Sequence, residues 1–368
     1  MKFIIVIFTM LVVILGANFY IFFRLWHLIP PFPASRILLV FLGILLAVLP
    51  FLSMGLGPNF PYWVSSMMYR IGCSWLIMTL YLAALFFFLD LIRIIGVLPL
   101  HRIMFHSWVG FGALSLVMAV LMGGANIRYH NKKRVEFTIK TEKRMGAGKP
   151  LKVVAIADLH LGYGVGIKEF RKWINIVNQE VPDLVLIAGD AFDNRLDPAV
   201  ERNFAALFGE FKSKYGVYFV LGNHEYIANI SEDIDFLNSA GVTVLKDDVA
   251  LVGDSFWVAG RDDRSNPERK TVAQLTDSLD KSKPIILIEH QPYHLEEVEA
   301  AGVDLYFAGH THDGQVFPVS WITKAMYELS HGYLQKGSSH FYVTSGIGLW
   351  GGKFRIGTQS EYVVINME

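Results

Sequence analysis

Five segments in the second half of the chain place metal-capable side chains directly after a short apolar run. The runs and the polar residues behind them are 151–157 with Asp158 and His160, 184–188 with Asp190, 217–221 with Asn223 and His224, 285–288 with His290, and 305–308 with His310 and His312. Apolar runs of this length are typical of buried strands. Ligands in α/β folds bind beyond the carboxyl ends of such strands, so we expect these side chains to meet at one edge of a sheet.

The chemistry of this set is that of an oxygen and nitrogen metal site without sulfur. Leaving His224 aside, it offers two aspartates, one asparagine and four histidines, which suit Mn²⁺, Fe or Zn²⁺. Seven ligands are too many for one ion that must also leave room for water. They suit two ions that share a bridging carboxylate, as in phosphatases and nucleases.

Helical stretches separate some of the strand-like runs. Residues 167–178 and 198–212 are examples. Strands that alternate with helices favour βαβ units and a largely parallel sheet.

The motifs resemble those of the calcineurin-like metallophosphoesterases, over residues 151–368. They are Asp158-x-His160, Gly189-Asp190, Gly222-Asn223-His224-Glu225, His290 and Gly309-His310-Thr311-His312. Asp313-Gly314-Gln315 and the late Gly346-Ile347-Gly348 make the bacterial membrane-associated branch the most similar. The resemblance implies an α/β fold, a β-sandwich of two mixed sheets flanked by helices. It also implies two bound metal ions and the hydrolysis of phosphate mono- or diesters.

The resemblance also assigns roles to the residues. The first metal would be held by Asp158, His160, Asp190 and His312, and the second by Asp190, Asn223, His290 and His310. A water or hydroxide between the metals would attack phosphorus. His224 would hydrogen-bond the phosphate or protonate the leaving oxygen, and Asp193 would orient His224.

The sequence departs from the family at two positions. Protein phosphatases of the superfamily have arginine where this chain has Asn194, which disfavours a protein-phosphatase function. Residue 313 is aspartate where the branch commonly has glycine.

Composition divides the chain near Arg128. The 368 residues have a formal net charge of zero and are 18% charged, below the 25% or so of ordinary soluble proteins. Residues 1–127 hold only seven charged residues, with net charge +5, and the remainder carries −5. We therefore predict a multipass transmembrane region (1–127), a basic juxtamembrane connector (128–150) and a metallophosphoesterase domain (151–368). Zero net charge disfavours nucleic acid as a partner bound by bulk charge.

Four apolar stretches in the first region are long enough to span a bilayer. They are 3–23, 37–56, 71–89 and 104–122, the last being the weakest. A cleaved signal peptide is the alternative for the first stretch. Basic residues near the stretch ends are distributed nine to four, which favours a cytoplasmic catalytic domain if all four stretches cross.

These features predict a cell-membrane hydrolase with two divalent metals that cleaves phosphate mono- or diester or pyrophosphate bonds. Tethering favours a lipid- or nucleotide-linked substrate such as UDP-2,3-diacylglucosamine. The alternative from another class is a non-enzymatic membrane sensor or transporter that binds phosphate ligands. The residues leave the metal and the oligomeric state open.

Overall fold

The computed structural model describes residues 2–96, 98–143, 150–193 and 195–368, with side chains from Phe8 onward. Their contacts divide the chain into two compact units. The apolar unit comprises the residues up to Ile127 and the segment Gly351–Phe354, and the mixed unit comprises Arg128–Trp350 and Arg355–Glu368. The change in composition near Arg128 falls at the same point.

The apolar unit is helical. Its helices are α1 (Lys2–Leu28), α2 (Pro33–Leu56), α3 (Tyr62–Ile95), α4 (His101–Met104) and α5 (Trp108–His130), the last of which runs on into the mixed unit. Among the described residues, α1, α2, α3 and α5 are long and apolar enough to cross a membrane, as the sequence predicts.

The fourth membrane helix lies further along the chain than predicted. The prediction was 104–122, whereas α5 begins at Trp108 and ends at His130. Met104 belongs to the separate turn of α4. The Ser107 hydroxyl accepts a hydrogen bond from the backbone N–H of Gly110 at 3.0 Å, so it caps the new helix.

Polar contacts inside the apolar unit join α1 to α3. The Asp90 carboxylate pairs with Arg93 at 3.5 Å, as their spacing suggests, and also with the buried Arg24 of α1 at 2.9 Å. The Tyr20 hydroxyl donates to the same carboxylate at 2.7 Å. Charged groups in membrane helices are costly unless paired, so this cluster is a structural link between the two helices.

Within the described ranges, the mixed unit has twelve strands. They are β1 (Lys133–Ile139), β2 (Leu151–Ile156), β3 (Leu184–Ala188), β4 (Val217–Val220), β5 (Val242–Val244), β6 (Asp248–Val252), β7 (Phe256–Gly260), β8 (Ile285–Ile288), β9 (Leu305–Ala308), β10 (Gly332–Lys336), β11 (Ser339–Val343) and β12 (Glu361–Met367).

In the part of the unit that the structure describes, eight helices flank these strands. They are α6 (Ile167–Gln179), α7 (Asp197–Glu201), α8 (Phe204–Phe208), α9 (Asn223–Ile227), α10 (Ile230–Ser239), α11 (Val272–Thr276), α12 (Leu295–Ala300) and α13 (Val319–Met326). A 3₁₀ turn spans His312–Gly314.

The strands form two six-stranded mixed sheets. One has the order β1-β12-β2-β3-β4-β5 and the other β10-β11-β9-β8-β7-β6. Pairing is parallel along β2-β3-β4-β5 and from β7 through β8 and β9 to β11, and antiparallel at β12–β2, β10–β11 and β6–β7. The predicted α/β sandwich of two mixed sheets is therefore confirmed, and the parallel prediction holds for the strands that precede the candidate ligands.

Apolar residues cover both faces of the central strands. In β3, Leu184 and Leu186 face the core between the sheets, while Val185 and Ile187 face the layer formed by α6, α8 and α10. Successive side chains of a strand point to opposite faces, so a strand buried on both sides must be apolar throughout. This is why polar and apolar residues do not alternate in the runs that precede the candidate ligands.

Residues 128–150 do more than connect the two regions. β1 lies within this segment and pairs in parallel with β12, with Val135 opposite Val363. Arg134 makes a bidentate contact with Glu180 at 2.7 and 2.9 Å, and Lys143 pairs with Asp304 at 2.6 Å. Two basic residues of the predicted connector therefore pair with protein carboxylates, while Arg144 lies outside the described residues.

Candidate metal centre

Six of the seven predicted ligands lie in two clusters, and a third cluster joins His160 and Asp190 to His224. Donor atoms of Asp158, His160 and His312 lie within 4.8 Å of one another, and so do those of Asp190, His290 and His310. The seventh predicted ligand, Asn223, is the first residue of α9.

Asp190 lies between the two clusters. Its Oδ2 is 3.1 Å from His290 Nε2 in one cluster and 3.7 Å from His160 Nε2 in the other. His160 Nε2 is in turn 3.3 Å from His312 Nε2. The Asp190 carboxylate therefore has the position required of a bridge between two ions.

The backbone is left-handed at five of the predicted ligands. The φ angles are 59° at Asp158, 46° at His160, 53° at Asp190, 72° at His310 and 49° at His312. Non-glycine residues seldom adopt this conformation, and it concentrates at functional sites where the surrounding structure enforces it. The sharp turns direct several side chains from successive strand ends into one small volume.

Gly189 permits one of these turns. Its φ is +79°, and a Cβ atom there would lie 2.5 Å from Nδ1 of His290. Only glycine fits both the conformation and the space. The Gly-Asp motif thus brings the Asp190 loop against the His290 loop.

The tautomer of His290 is set by its backbone partner. Nδ1 donates to the carbonyl oxygen of Ala188 at 2.8 Å, which turns Nε2 toward Asp190. A backbone acceptor on one ring nitrogen is the usual way in which a protein orients a ligating histidine.

Although burial opposes it, the Asp190 carboxylate raises the pKa of His290 well above normal. Burial dominates at Asp158 and at the other three ligand histidines. It raises the pKa of Asp158 to about 7, and the nearby Asp190 carboxylate adds to that rise. It also lowers the pKa of His310 to about 4 and holds the pKa values of His160 and His312 well below normal. Neutral imidazoles carry the free lone pair that a metal needs.

Oδ1 of Asn223 is one of the buried site atoms that lack a hydrogen-bond partner among the described residues. A buried polar atom without a partner costs about 1–3 kcal/mol, and a cation would satisfy it. Together with the donor chemistry, this observation fits two divalent ions.

Glu225 ties the ligand loops together beneath the donors. Its carboxylate accepts hydrogen bonds from the backbone N–H groups of Gly222, Asp190 and Ala191, at 2.7, 3.1 and 2.8 Å. Ligand loops linked in this way hold their geometry before any ion binds.

His224 lies beside the clusters, as its predicted role requires. Its backbone N–H donates to Asp190 Oδ1 at 3.0 Å, and its Nε2 is 4.0 Å from Asp190 Oδ2. Nδ1 donates to the backbone carbonyl of Asp193, whose side chain is buried. The contact between His224 and Asp193 thus includes the main chain, whereas the sequence suggested the carboxylate. Asn194 lies outside the described residues.

Arg355 is a supporting residue whose contacts have no signal in the sequence. It is 1% exposed. Its guanidinium donates to the backbone carbonyls of His312 and Ser345, and Nε donates to Ser360 Oγ at 3.0 Å. A separation of 43 residues from His312 left no local signal of this contact.

The sequence analysis also missed a group of polar and aromatic residues that includes the segment after β7. There Arg264 stacks on Tyr293 with its Cζ 3.9 Å from the ring centroid. The Tyr293 hydroxyl lies 3.1 Å from that of Tyr327, and the Tyr327 ring is 6.4 Å from the ring of His310. The sequence did contain a signal for this site. Asp262 and Asp263 follow β7 closely, just as polar residues follow the other apolar strand-like runs.

Two mixed sheets with a cluster of histidines and aspartates at their strand ends define a metallophosphoesterase type of domain. Residues 151–314 match the model of the calcineurin-like phosphoesterase family. The resemblance drawn from the motifs is confirmed.

Relatives in bacteria and animals share this region. The chain is 34% identical over 226 residues to an uncharacterized metallophosphoesterase of Campylobacter jejuni, a match that covers 60% of each protein. It is 32% identical over 246 residues to the transmembrane protein with metallophosphoesterase domain of Danio rerio, covering 62% of this chain and 56% of that protein. The match thus spans about three fifths of the length of these relatives.

Solved structures are more distant. A dimetal phosphatase from Danio rerio is 16% identical, with a TM-score of 0.35, over 54% of this chain and 88% of that one.

Replacing Arg355 by lysine should weaken metal binding about 10–100-fold, the usual effect of losing a group that orients a ligand. Lysine keeps the charge but cannot donate to the His312 and Ser345 carbonyls at once. Titration calorimetry of Mn²⁺ into metal-stripped protein measures the change.

Arg128→Lys is the matched control, because Arg128 also donates to a backbone carbonyl, that of Thr358, without contacting a ligand residue. Equal Mn²⁺ affinity in Arg355→Lys and the control would contradict the positioning role.

Proposed function

We propose that this protein is a membrane-anchored, metal-dependent hydrolase of phosphate mono- or diester or pyrophosphate bonds. The observation that carries the proposal is the position of Asp190, shared between two clusters of histidine and carboxylate donors. An isolated carboxylate or histidine pair is common on protein surfaces. A buried pair of clusters bridged by one aspartate matches what two-metal hydrolysis requires.

The proposed ligands divide as the clusters do. Asp158, His160 and His312 would hold one ion, and His290, His310 and Asn223 the other, with Asp190 between them. When bound, two divalent ions such as Mn²⁺, Fe or Zn²⁺ would supply Lewis acidity toward the phosphoryl oxygens and would lower the pKa of a water molecule.

His224 is the proposed acid or hydrogen-bond donor to the substrate. Its Nδ1 is held by the Asp193 carbonyl, so Nε2 remains on the side of the Asp190 carboxylate. A positioned imidazole that protonates the leaving oxygen contributes about 10²–10⁴-fold in rate.

We propose a substrate that carries a second anionic group, as lipid- or nucleotide-linked esters of the UDP-2,3-diacylglucosamine type do. Support comes from Arg264, an exposed residue whose guanidinium stacks on the ring of Tyr293. The Tyr293 ring packs against Tyr327, which in turn lies beside His310. Within the described part of the chain, no carboxylate pairs with its guanidinium. Arginine in such a position suits bidentate recognition of phosphate.

The catalytic domain is proposed to face the cytoplasm. Support comes from the nine-to-four distribution of basic residues near the ends of the four apolar helices.

Replacing Asp190 by asparagine should lower hydrolysis of bis-(p-nitrophenyl) phosphate by about 10²-fold or more, because a neutral amide cannot hold two cations together. The rate is measured with Mn²⁺ added, and bound metal is counted by mass spectrometry.

Asp197→Asn is the control for this change, since Asp197 is an exposed carboxylate paired with Arg195. Unchanged turnover in Asp190→Asn would refute the hydrolase assignment. Bound metal in the native chain without turnover of any ester would favour the sensor instead.

Replacing Arg264 by alanine should reduce kcat/KM about 10–100-fold for an ester with a second phosphate, the usual value of a hydrogen bond to a charged group. Turnover of bis-(p-nitrophenyl) phosphate should stay unchanged, because that diester has no second anion. Arg171→Ala, on the exposed surface of α6, is the matched control. An equal loss on both substrates would contradict the recognition role.

A green fluorescent protein fused after Glu368 should fluoresce in bacterial cells, and an alkaline phosphatase fused there should be inactive. The opposite pair of results would place the catalytic domain outside the cytoplasm.

A further inference from the structure

The helix α13 presents an apolar surface to the outside of the protein. Trp321, Ile322 and Met326 are 65, 59 and 60% exposed, and Phe317 before the helix is 42% exposed. We name these four residues the α13 face. The buried residue of the helix is the small Ser320. Neighbouring large apolar groups on a surface mark a place where something binds.

The residue types indicate what covers this face. The helix combines a tryptophan and other large apolar residues with Lys324, and it contains no acidic residue. Helices that lie in the interface of a bilayer have this composition, with aromatic rings among the headgroups and lysine reaching toward lipid phosphates.

Two hydrogen bonds within the mixed unit join the α13 segment to residues that lie next to the apolar unit in the chain. Phe317 donates its backbone N–H to Ile356 at 2.7 Å, and Ile356 is two residues beyond Phe354, which belongs to the apolar unit. Two residues of chain span at most roughly 7 Å.

The second connection runs through Thr358. Its hydroxyl donates to the carbonyl of Gln315, while its own carbonyl accepts from Arg128 at 2.7 Å. Arg128 lies in the last turn of α5, a helix long and apolar enough to cross the membrane.

We propose that the α13 face inserts into the headgroup layer of the same bilayer that the apolar helices cross. The bilayer is favoured over a protein partner because the helix combines tryptophan and aliphatic residues with a lysine and has no acidic residue. Its lysine also matches anionic lipid headgroups.

The consequence for substrate rests on the proposed hydrolase function. α13 packs on the turn that carries the ligands, since a Cβ on Gly314 would lie 2.5 Å from Ser320. His312 is the first residue of that turn, and His310 lies two residues before it in the chain. An inserted α13 would hold the metal centre at the level of the headgroups. The substrate class is then a phosphate ester carried on a membrane lipid.

The test uses the full-length chain in nanodiscs of phosphatidylethanolamine and phosphatidylglycerol. The single cysteine, Cys73, is replaced by alanine, and an NBD fluorophore is attached to Ile322→Cys. Val200→Cys is the matched control, because it is an apolar helical residue 56% exposed on α7. Lipids brominated on their acyl chains serve as quenchers.

Insertion predicts that NBD at position 322 emits at shorter wavelength than at position 200 and is quenched by the brominated lipids. Equal, water-like emission at both positions would overturn the proposal. A blue-shifted signal at 322 without quenching would also overturn it, in favour of a protein contact. None of these outcomes depends on hydrolysis, so a failed hydrolase assignment would be recognised separately.

A second measurement addresses the substrate class. Ile322→Ser combined with Trp321→Ser should reduce kcat/KM about tenfold or more for a phosphate ester embedded in vesicles, which corresponds to losing one large buried apolar side chain. Hydrolysis of soluble bis-(p-nitrophenyl) phosphate should be unchanged. An equal loss on both esters would contradict the assignment of a lipid substrate.

Discussion

The metal centre depends on bringing several buried donors together against their own electrostatics. Asp158 and Asp190 lie in the same buried volume as four histidines, and burial together with the Asp190 charge raises the pKa of Asp158 to about 7. Many hydrogen bonds to the main chain hold the loops in place despite this crowding, including those made by Glu225 and Arg355. The two sheets serve chiefly to fix the positions from which these loops start.

Main-chain hydrogen bonds join those loops to one another. Asp158 accepts from the backbone N–H of His310, His160 donates its backbone N–H to Asp190, and Gly309 donates to His290. Some of these loops follow strands of one sheet and some follow strands of the other, so both sheets contribute to the centre. A change at one strand end is therefore felt at the others, and effects of substitutions around the centre should not simply add.

Sequence patterns were sufficient for the strand-end residues because each signal was local. A buried strand followed by Asp-x-His or Gly-Asp can be read within a few residues, and the family motifs added the two-sheet fold. Arg355 and Arg264 could not be assigned in this way, because their roles arise from contacts between distant segments. The pairing of β1 with β12 was invisible for the same reason, since more than 200 residues separate Val135 from Val363. The start of α5 was misplaced because a serine cap, not hydropathy, sets it.

The pairing of β1 with β12 also orders events during synthesis. β1 emerges soon after α5, but its partner is made only when residues 361–367 leave the ribosome. Until then β2 lacks its antiparallel neighbour, and one side of the sheet stays open. The apolar helices are therefore delivered to the membrane well before the sandwich can close, and domains made first generally fold first. The edge of β2 that β12 will cover therefore stays unpaired after all of the apolar helices have been made.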